Sequence, residues 1–242
     1  WFDALNIYQS GVGFGCDDEM YNKWWPADLH IIGRGILRFH AVYWPAFLLS
    51  AGLPLPKKIF VHGYYTVNGQ KMSKTLGNVY DPVPLLEKYG ADPLRYFCLA
   101  KTPPFADGDF SEEKFKESYN ADLANGLGNL VARVARLCEK SESGFTDEAP
   151  ERITVVVNNL LEIFNFSEAI GDIWFRVSEL DKEIELAQPW KLKGKELFIL
   201  LRNWVNGIRH IGFDLQPFLP ETAEKILRQF KGPKIVGEAP LF

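Results

Sequence analysis

The sequence has few of the residues that staple small folds or hold metals. Its three cysteines, Cys16, Cys98 and Cys138, are odd in number, far apart, and form no CxxC pair. That argues against a zinc knuckle or a disulfide framework and suits a reducing cytosol, the expected location. A surplus of positive charge is also lacking. Residues 1–110 balance 10 Lys and Arg against 10 Asp and Glu, residues 111–242 carry 17 against 21, and the net charge is −4. Neither half has the bulk footprint of a nucleic-acid binder, so any RNA contact has to come from local geometry. Long apolar runs are missing too. The longest, HAVYWPAFLLSAGLPLP, carries His40 and three prolines and is too short and broken to span a bilayer. The opening WFDALNIYQSG has no basic region of the kind that begins a signal peptide. A start on Trp rather than Met fits a chain that begins inside a longer parent. There is no internal repeat and no low-complexity tract.

At 242 residues, 47% of them hydrophobic, the chain can bury more than one core, and two domains are expected. Up to about residue 70 it reads as α/β. IIGRGILRFHAVYWPAFLLSAGL gives a strand end, a glycine turn and a long apolar helix, which Pro45 should kink or restart. KKIFVHGYYTV has strand character, and VNGQ is a turn signal. From Asp81 the pattern is helical, with Asp81 as N-cap, Pro82 at the first helical position and Gly90 as stop. After the loop TPPFADGDF, Ser111 caps a long helix that Gly126 and Gly128 could break; Lys114 stands where a full capping box needs Glu or Gln. SESGFTDEAPERI reads as a linker. Further helices follow, with breaks near Gly171, at QPW, at LKGKE and at DLQPFLPE, and the tail GPKIVGEAPLF is expected to be extended.

Three constellations carry chemistry. NGQKMSKTLGN places Lys71 and Lys74 three apart on a loop flanked by Gly69 and Gly77, with hydroxyls on Ser73 and Thr75. Two ammonium groups so close call for an anion, and lysines on a mobile loop can stabilise charge developing on a leaving pyrophosphate. Taken alone, KxxK is more often a solvated turn. Second, Ile36, His40 and Trp44 are spaced to share one helix face, and Trp1, Ala4 and Tyr8 are similarly spaced. Aromatics, an isoleucine and one polar group suit a thioether side chain, although a plain core stripe is the commoner meaning of such a pattern. Third, Leu123, Leu127, Leu130, Val134 and Leu137 form an apolar stripe. Asn125, Asn129 and Arg136 lie opposite it, with Arg133 at the margin. Asn129 and Arg133 are i, i+4 neighbours able to read the edges of unstacked RNA bases, but a solvated polar face is the default for such residues. Trp174 and Trp204 read as core.

KMSKT after VNGQ resembles the KMSKS signature of class I aminoacyl-tRNA synthetases. The segments WFDALNIY, HIIGRGILRFHAVYWPAFL, FVHGYYTVNGQKMSKTLGN, DPLRYF, NADLANGLGNLVAR and QPW resemble the methionyl-tRNA synthetases, in order, from residue 1 to about 190. The resemblance implies α/β plus all-α architecture. Residues 1–70 would be the C-terminal half of a Rossmann-like catalytic domain, 71–115 the lysine loop and a connecting, stem-contact fold, and 116–242 a helical anticodon-binding domain. It implies ATP with Mg2+ as substrate, held by Lys71, Met72, Ser73, Lys74 and Thr75, with Lys71 and Lys74 catalytic. Methionine would sit among Trp1, Ala4, Tyr8, Ile36, His40 and Trp44, and the anticodon of tRNA(Met) would be read by Asn129, Arg133 and Trp190. No metal ligand is expected in these residues. The HIGH-bearing half of the catalytic domain, and any zinc, would belong to a missing upstream segment, in the same or a separate chain, so that this chain by itself would not suffice for catalysis.

The pattern departs from the family at two places. Arg34-Gly35 stands where an acidic residue normally follows Gly-Lys to contact the adenylate, and Leu5 stands where relatives carry proline. Thr75 for serine keeps the hydroxyl. Two other readings compete: a class I synthetase for another amino acid, which should lack the Asn129, Arg133, Trp190 set, and a non-catalytic tRNA-binding module derived from such an enzyme.

Overall fold

The computed structural model describes residues 1–67, 69–141, 143–148 and 150–242. Asn68 of the expected VNGQ turn, and Glu142 and Ala149 of the expected linker, lie outside the described residues. The chain divides into two compact units, Trp1–Tyr65 with Phe105–Gly108, and Thr66–Pro104 with Asp109–Phe242.

The first unit contains helices α1 (Phe2–Ser10) and α2 (Asp18–Trp24), strand β1 (His30–Gly33), helix α3 (Trp44–Ser50) and strand β2 (Ile59–His62). β1 and β2 pair in parallel, from His30 opposite Ile59 to Gly33 opposite His62. Parallel neighbours need a crossover, and the helical run ending in α3 supplies it. Pro45 does not break that run. The turns immediately before it, Phe39–Tyr43, widen into a π segment. A proline donates no backbone hydrogen bond and crowds the carbonyl four residues back, and the wider turn accommodates both effects. Leu5, Trp25, Trp44 and Leu48 form the core, with Tyr8 and Phe39 packed against it. Burying each such large side chain contributes about 1.5–3 kcal/mol.

The apolar run 57–67 gives two strands rather than one: β2, then β3 (Tyr65–Val67) after an interruption at Gly63 and Tyr64. The backbone of Ala106 and Asp107 passes so close to Gly63 that no β-carbon fits there, which is what a glycine inside a strand pattern commonly marks.

In the second unit β3 pairs antiparallel with β4 (Gln70–Lys71), and the sheet order is β4–β3–β5, with β5 at Gly108–Phe110. Among the described residues eight α-helices follow or interleave: α4 (Val83–Tyr89), α5 (Ala91–Ala100), α6 (Glu112–Ser118), α7 (Asn129–Ser141), α8 (Val155–Glu162), α9 (Phe166–Ala187), α10 (Gly194–Leu215) and α11 (Pro220–Gln229). Ser111 caps α6 by accepting from the Lys114 N–H at 3.1 Å, while Lys114 itself pairs with Asp109 at 2.8 Å. Asp81 accepts from the Val83 N–H at 3.0 Å, so α4 starts at Val83 with Pro82 in the cap, one residue later than expected.

Two expected helix breaks are absent. Gly126 and Gly128 lie in a π segment, Tyr119–Gly128, that joins α6 to α7 without interruption, and Gly171 sits inside α9. A glycine weakens a helix by only about 1 kcal/mol, less than the packing of its neighbours returns. The real break falls at residues 163–165, where Phe164 has φ 59° and Asn165 caps α9. The core of this unit is continuous through Leu123, Leu127, Leu130, Val134, Trp204 and Phe230. Trp204 is buried as expected, and half-buried Trp174 lies against Tyr96 at 4.5 Å.

Candidate functional site

The lysine loop is tied down by a residue that sequence reasoning passed over. Asn78 accepts from the Ser73 N–H at 2.8 Å and donates to the Lys71 carbonyl at 3.2 Å, so one amide spans the loop from β4 to its far side. Ser73 caps a 3₁₀ turn, Lys74–Leu76, by accepting from the Thr75 N–H at 3.2 Å, and Gly77 closes that turn at φ 66°. Lys71 and Lys74 are both exposed on this frame. Met72 points the other way, against Leu85, Phe97, Phe110 and Phe115, and anchors the loop by its side chain. At the loop's other root, Asp109 accepts from the Gly69 N–H, the Thr66 hydroxyl and the Lys114 ammonium, each at 2.8 Å. These bonds hold its carboxyl down at about 2, with the Gly69 amide the largest cause. The cue to Asn78 was its place inside the KTLGN string, two residues past the second lysine-bearing turn.

In the first unit, Tyr8 on α1 hydrogen-bonds His40 Nε2 through its hydroxyl at 2.9 Å, and His40 Nδ1 lies 3.0 Å from the Ile36 carbonyl. His40 is buried with both ring nitrogens partnered, and Trp44 is buried one turn on. Trp1 is exposed and stacks on Phe39, centroids 4.0 Å apart, and meets His40 edge-on with centroids 6.4 Å apart. Ala4 is exposed and Ile36 half-buried. The sequence reading missed His30, which meets Tyr8 at 4.4 Å and His40 at 6.2 Å. Burial, and secondarily the charge of His40, push the His30 pKa below the ordinary histidine value, favouring the neutral ring. Buried polar atoms without a hydrogen-bond partner concentrate around this cluster: Gln9 Nε2, Tyr21 Oη, His30 Nε2 and Trp44 Nε1. Such atoms are rare in folded proteins.

At the carboxyl ends of β1 and β2, Arg34 holds Asp107 through two bonds of 2.8 Å, and Asp107 also accepts from the Tyr64 N–H at 2.8 Å. The Arg34 guanidinium lies over the Tyr64 ring at 5.2 Å. Gly35, the departure from the acidic position, faces the Tyr64 hydroxyl.

On α7, Asn129 is exposed and Arg133 is half-buried, donating to the Asp181 carbonyl and pairing with its carboxylate, both at 3.0 Å. Both line a groove of about 540 Å³ together with Arg136, Lys140 and tail residues 238 and 240–242. Trp190 is 64% exposed on the turn after α9 and does not line that groove. Pro189 beneath it is buried. Among the described residues no group of three or more His, Cys, Asp or Glu is placed to hold a metal ion, and no helix is long and apolar enough to cross a membrane.

The family model of class I tRNA synthetases (M) matches residues 1–135. The methionine–tRNA ligase of Clostridium acetobutylicum is 42% identical over 249 aligned residues, covering 95% of this chain and 38% of that protein. That of Thermotoga maritima is 40% identical over 247, covering 95% and 39%. A crystal structure of Mycobacterium tuberculosis methionyl-tRNA synthetase bound by methionyl-adenylate superposes with a TM-score of 0.86 at 34% identity, covering all of this chain and 55% of that one. The chain belongs to the class I tRNA synthetases (M), with the mixed α/β and all-α architecture expected of it, and spans less than two fifths of the length of these curated relatives.

Proposed function

We propose that this chain is the lysine-loop and anticodon-binding portion of a methionyl-tRNA synthetase. The parent enzyme activates L-methionine with ATP: the methionine carboxylate attacks the α-phosphate, the bond to the bridging oxygen breaks, and pyrophosphate leaves. The adenylate then passes its methionyl group to the terminal ribose of tRNA(Met). Residues 1–70 belong to the catalytic domain, 71–115 to the loop and connecting fold, and 116–242 to the anticodon-binding domain.

The observation that carries this reading is the lysine loop itself. Asn78 and the Ser73 cap fix its frame while both ammonium groups stay exposed. Lys71 and Lys74 then act on the triphosphate, adding positive charge where negative charge grows as pyrophosphate departs. The Ser73 and Thr75 hydroxyls and the backbone around Met72 add donors. The Tyr8–His40 pair with Trp1, Ala4, Ile36 and Trp44 forms the methionine pocket. A thioether sulfur is a weak acceptor that aromatic walls favour, which suits an apolar cluster carrying a few polar donors. Asn129 and Arg133 read anticodon bases, and exposed Trp190 offers a ring for a base to stack on.

The test is amino-acid-dependent exchange of pyrophosphate into ATP, measured on this chain joined to its upstream catalytic half. Methionine should support exchange, and charging should favour a tRNA bearing CAU. Faster exchange with leucine, isoleucine, valine or cysteine would overturn the reading. So would tRNA binding with no exchange at all, which would leave a binding module.

A further inference from the structure

The chain has two methionines, Met20 and Met72. Met20 is 41% exposed on α2. Met72 stands between the two lysines of the loop, half-buried, with its side chain laid on the cluster of Leu85, Phe97, Phe110 and Phe115. The rings of that cluster run on from one another: Phe97 lies 5.4 Å from Phe110 and 5.9 Å from Phe115, and Tyr80 lies 4.5 Å from Phe110. Aromatic rings favour contact with a polarizable thioether sulfur, so this is a good seat for methionine in its reduced form.

The backbone on either side of Met72 is fixed by one side chain. Asn78 donates to the Lys71 carbonyl and accepts from the Ser73 N–H, so its amide brackets residue 72. Lys71 precedes the bracketed residue, and Lys74 follows two positions on, at the start of the 3₁₀ turn that Ser73 caps. The seating of the Met72 side chain therefore sets where both ammonium groups stand. That side chain is half-buried rather than sealed, which leaves it open to a solute as small as hydrogen peroxide.

We propose that Met72 is an oxidation site through which a peroxide switches the lysine loop off. The sulfur lone pair attacks one peroxide oxygen, an S–O bond forms and the O–O bond breaks. The departing hydroxide takes the remaining proton and leaves as water; sulfur gives up two electrons and the peroxide accepts them. The sulfoxide is polar, and the hydrocarbon side chains of Leu85, Phe97, Phe110 and Phe115 give its new oxygen no hydrogen bond. The anchor lifts, and Lys71 and Lys74 lose their fixed stand. A sulfoxide reductase drawing on thiols returns the thioether, so the switch is reversible. This rests on the reading of the loop as the triphosphate clamp.

In the test, hydrogen peroxide is applied to this chain joined to its upstream catalytic half, and dithiothreitol then reverses cysteine oxidation. Methionine-dependent pyrophosphate exchange is read against each protein's own untreated rate. Wild type should lose about tenfold, in step with one oxygen added to the peptide carrying Met72, and keep its affinity for tRNA. Both methionine sulfoxide reductases, supplied with a thiol, should restore the rate. Met20→Leu should lose as much as wild type, whereas Met72→Leu should lose little. Met72→Gln, which puts a polar amide on the cluster, should be slow without any peroxide. An equal loss in Met72→Leu, a sulfoxide at residue 72 with exchange intact, or no recovery with the reductases overturns the proposal. An untreated wild type without methionine-dependent exchange overturns the underlying reading instead.

Discussion

The hydroxyl of Tyr64 occupies the space that a β-carbon on Gly35 would need. Gly35 has no left-handed backbone requirement, so it is held at this position by volume alone. The collision involves only the phenol oxygen, because the next ring atom would lie 3.5 Å from the added carbon, an ordinary contact. Gly35→Ala should therefore cost about 1–3 kcal/mol, the usual range for overpacking. In a Tyr64→Phe background most of that cost should vanish. Urea unfolding of the four proteins of the cycle checks it, and an equal cost in both backgrounds would defeat the explanation. It follows that any side chain at 35 requires the Tyr64 phenol to move aside.

Asp109 predicts an acid response at the root of the lysine loop. Its carboxyl is held down to about 2 by the Gly69 amide first, then by Lys114 and Thr66. Because the folded value lies below the unfolded one, the bonds contribute stability above about pH 4 and lose it as pH falls toward about 2. Asp109→Asn should remove that dependence. Melting temperature followed from pH 5 to pH 2 should therefore fall less steeply in the variant than in the wild type. Parallel curves would rule out Asp109 as the titrating anchor.

How much of this could be read from the sequence depended on distance along the chain. Ser111, Gly90 and the Leu123 to Val134 stripe are local signals, and each lies where periodicity and capping chemistry place it. Gly171 shows the limit of local reading, because the packing of a long helix overrides one weak residue. The site was legible only where it was continuous in sequence. Lys71 to Thr75 could be singled out as a string, and Ile36, His40 and Trp44 as a helix face. His30, Asp107 and Phe242 reach their neighbours through a strand pairing, a loop return and a strapped tail, and no spacing rule along the chain encodes those contacts.

The lysine loop separates frame from charge. Lys74→Ala leaves the Asn78 and Ser73 bonds in place, so stability should not change, while methionine-dependent pyrophosphate exchange in the whole enzyme should fall on the order of a hundredfold, about 3 kcal/mol. Binding of tRNA should be nearly unaffected. Asn78→Ala keeps both lysines but removes two hydrogen bonds, each contributing about 0.5–1.5 kcal/mol. It should slow exchange by a smaller factor and make the loop more open to proteolysis. If Lys74→Ala and wild type exchange pyrophosphate equally, the loop is not the triphosphate clamp proposed here.

Arg209 on α10 offers the sharpest stability test in the helical unit. It is 3% exposed, and its guanidinium donates to the Thr146 carbonyl at 2.6 Å and the Phe230 carbonyl at 2.9 Å. Burial pushes its pKa below the ordinary arginine value, with the carboxylates of Asp147 and Glu148 opposing the shift. The side chain thus ties the segment after α7 and the end of α11 to the middle of α10. Arg209→Met preserves much of the volume but leaves the carbonyls of Thr146, Phe230 and, at 3.4 Å, Lys231 without their donor. Hydrogen bonds to a charged group contribute about 1.5–3 kcal/mol each, so the loss should be at least that of one such bond. Arg209→Lys keeps the charge but cannot reach these carbonyls with one planar fork, and should recover only part of the loss. Chemical denaturation at pH 7 measures all three proteins, and a lysine variant as stable as wild type would show that charge, not the two-pronged geometry, is what this position requires.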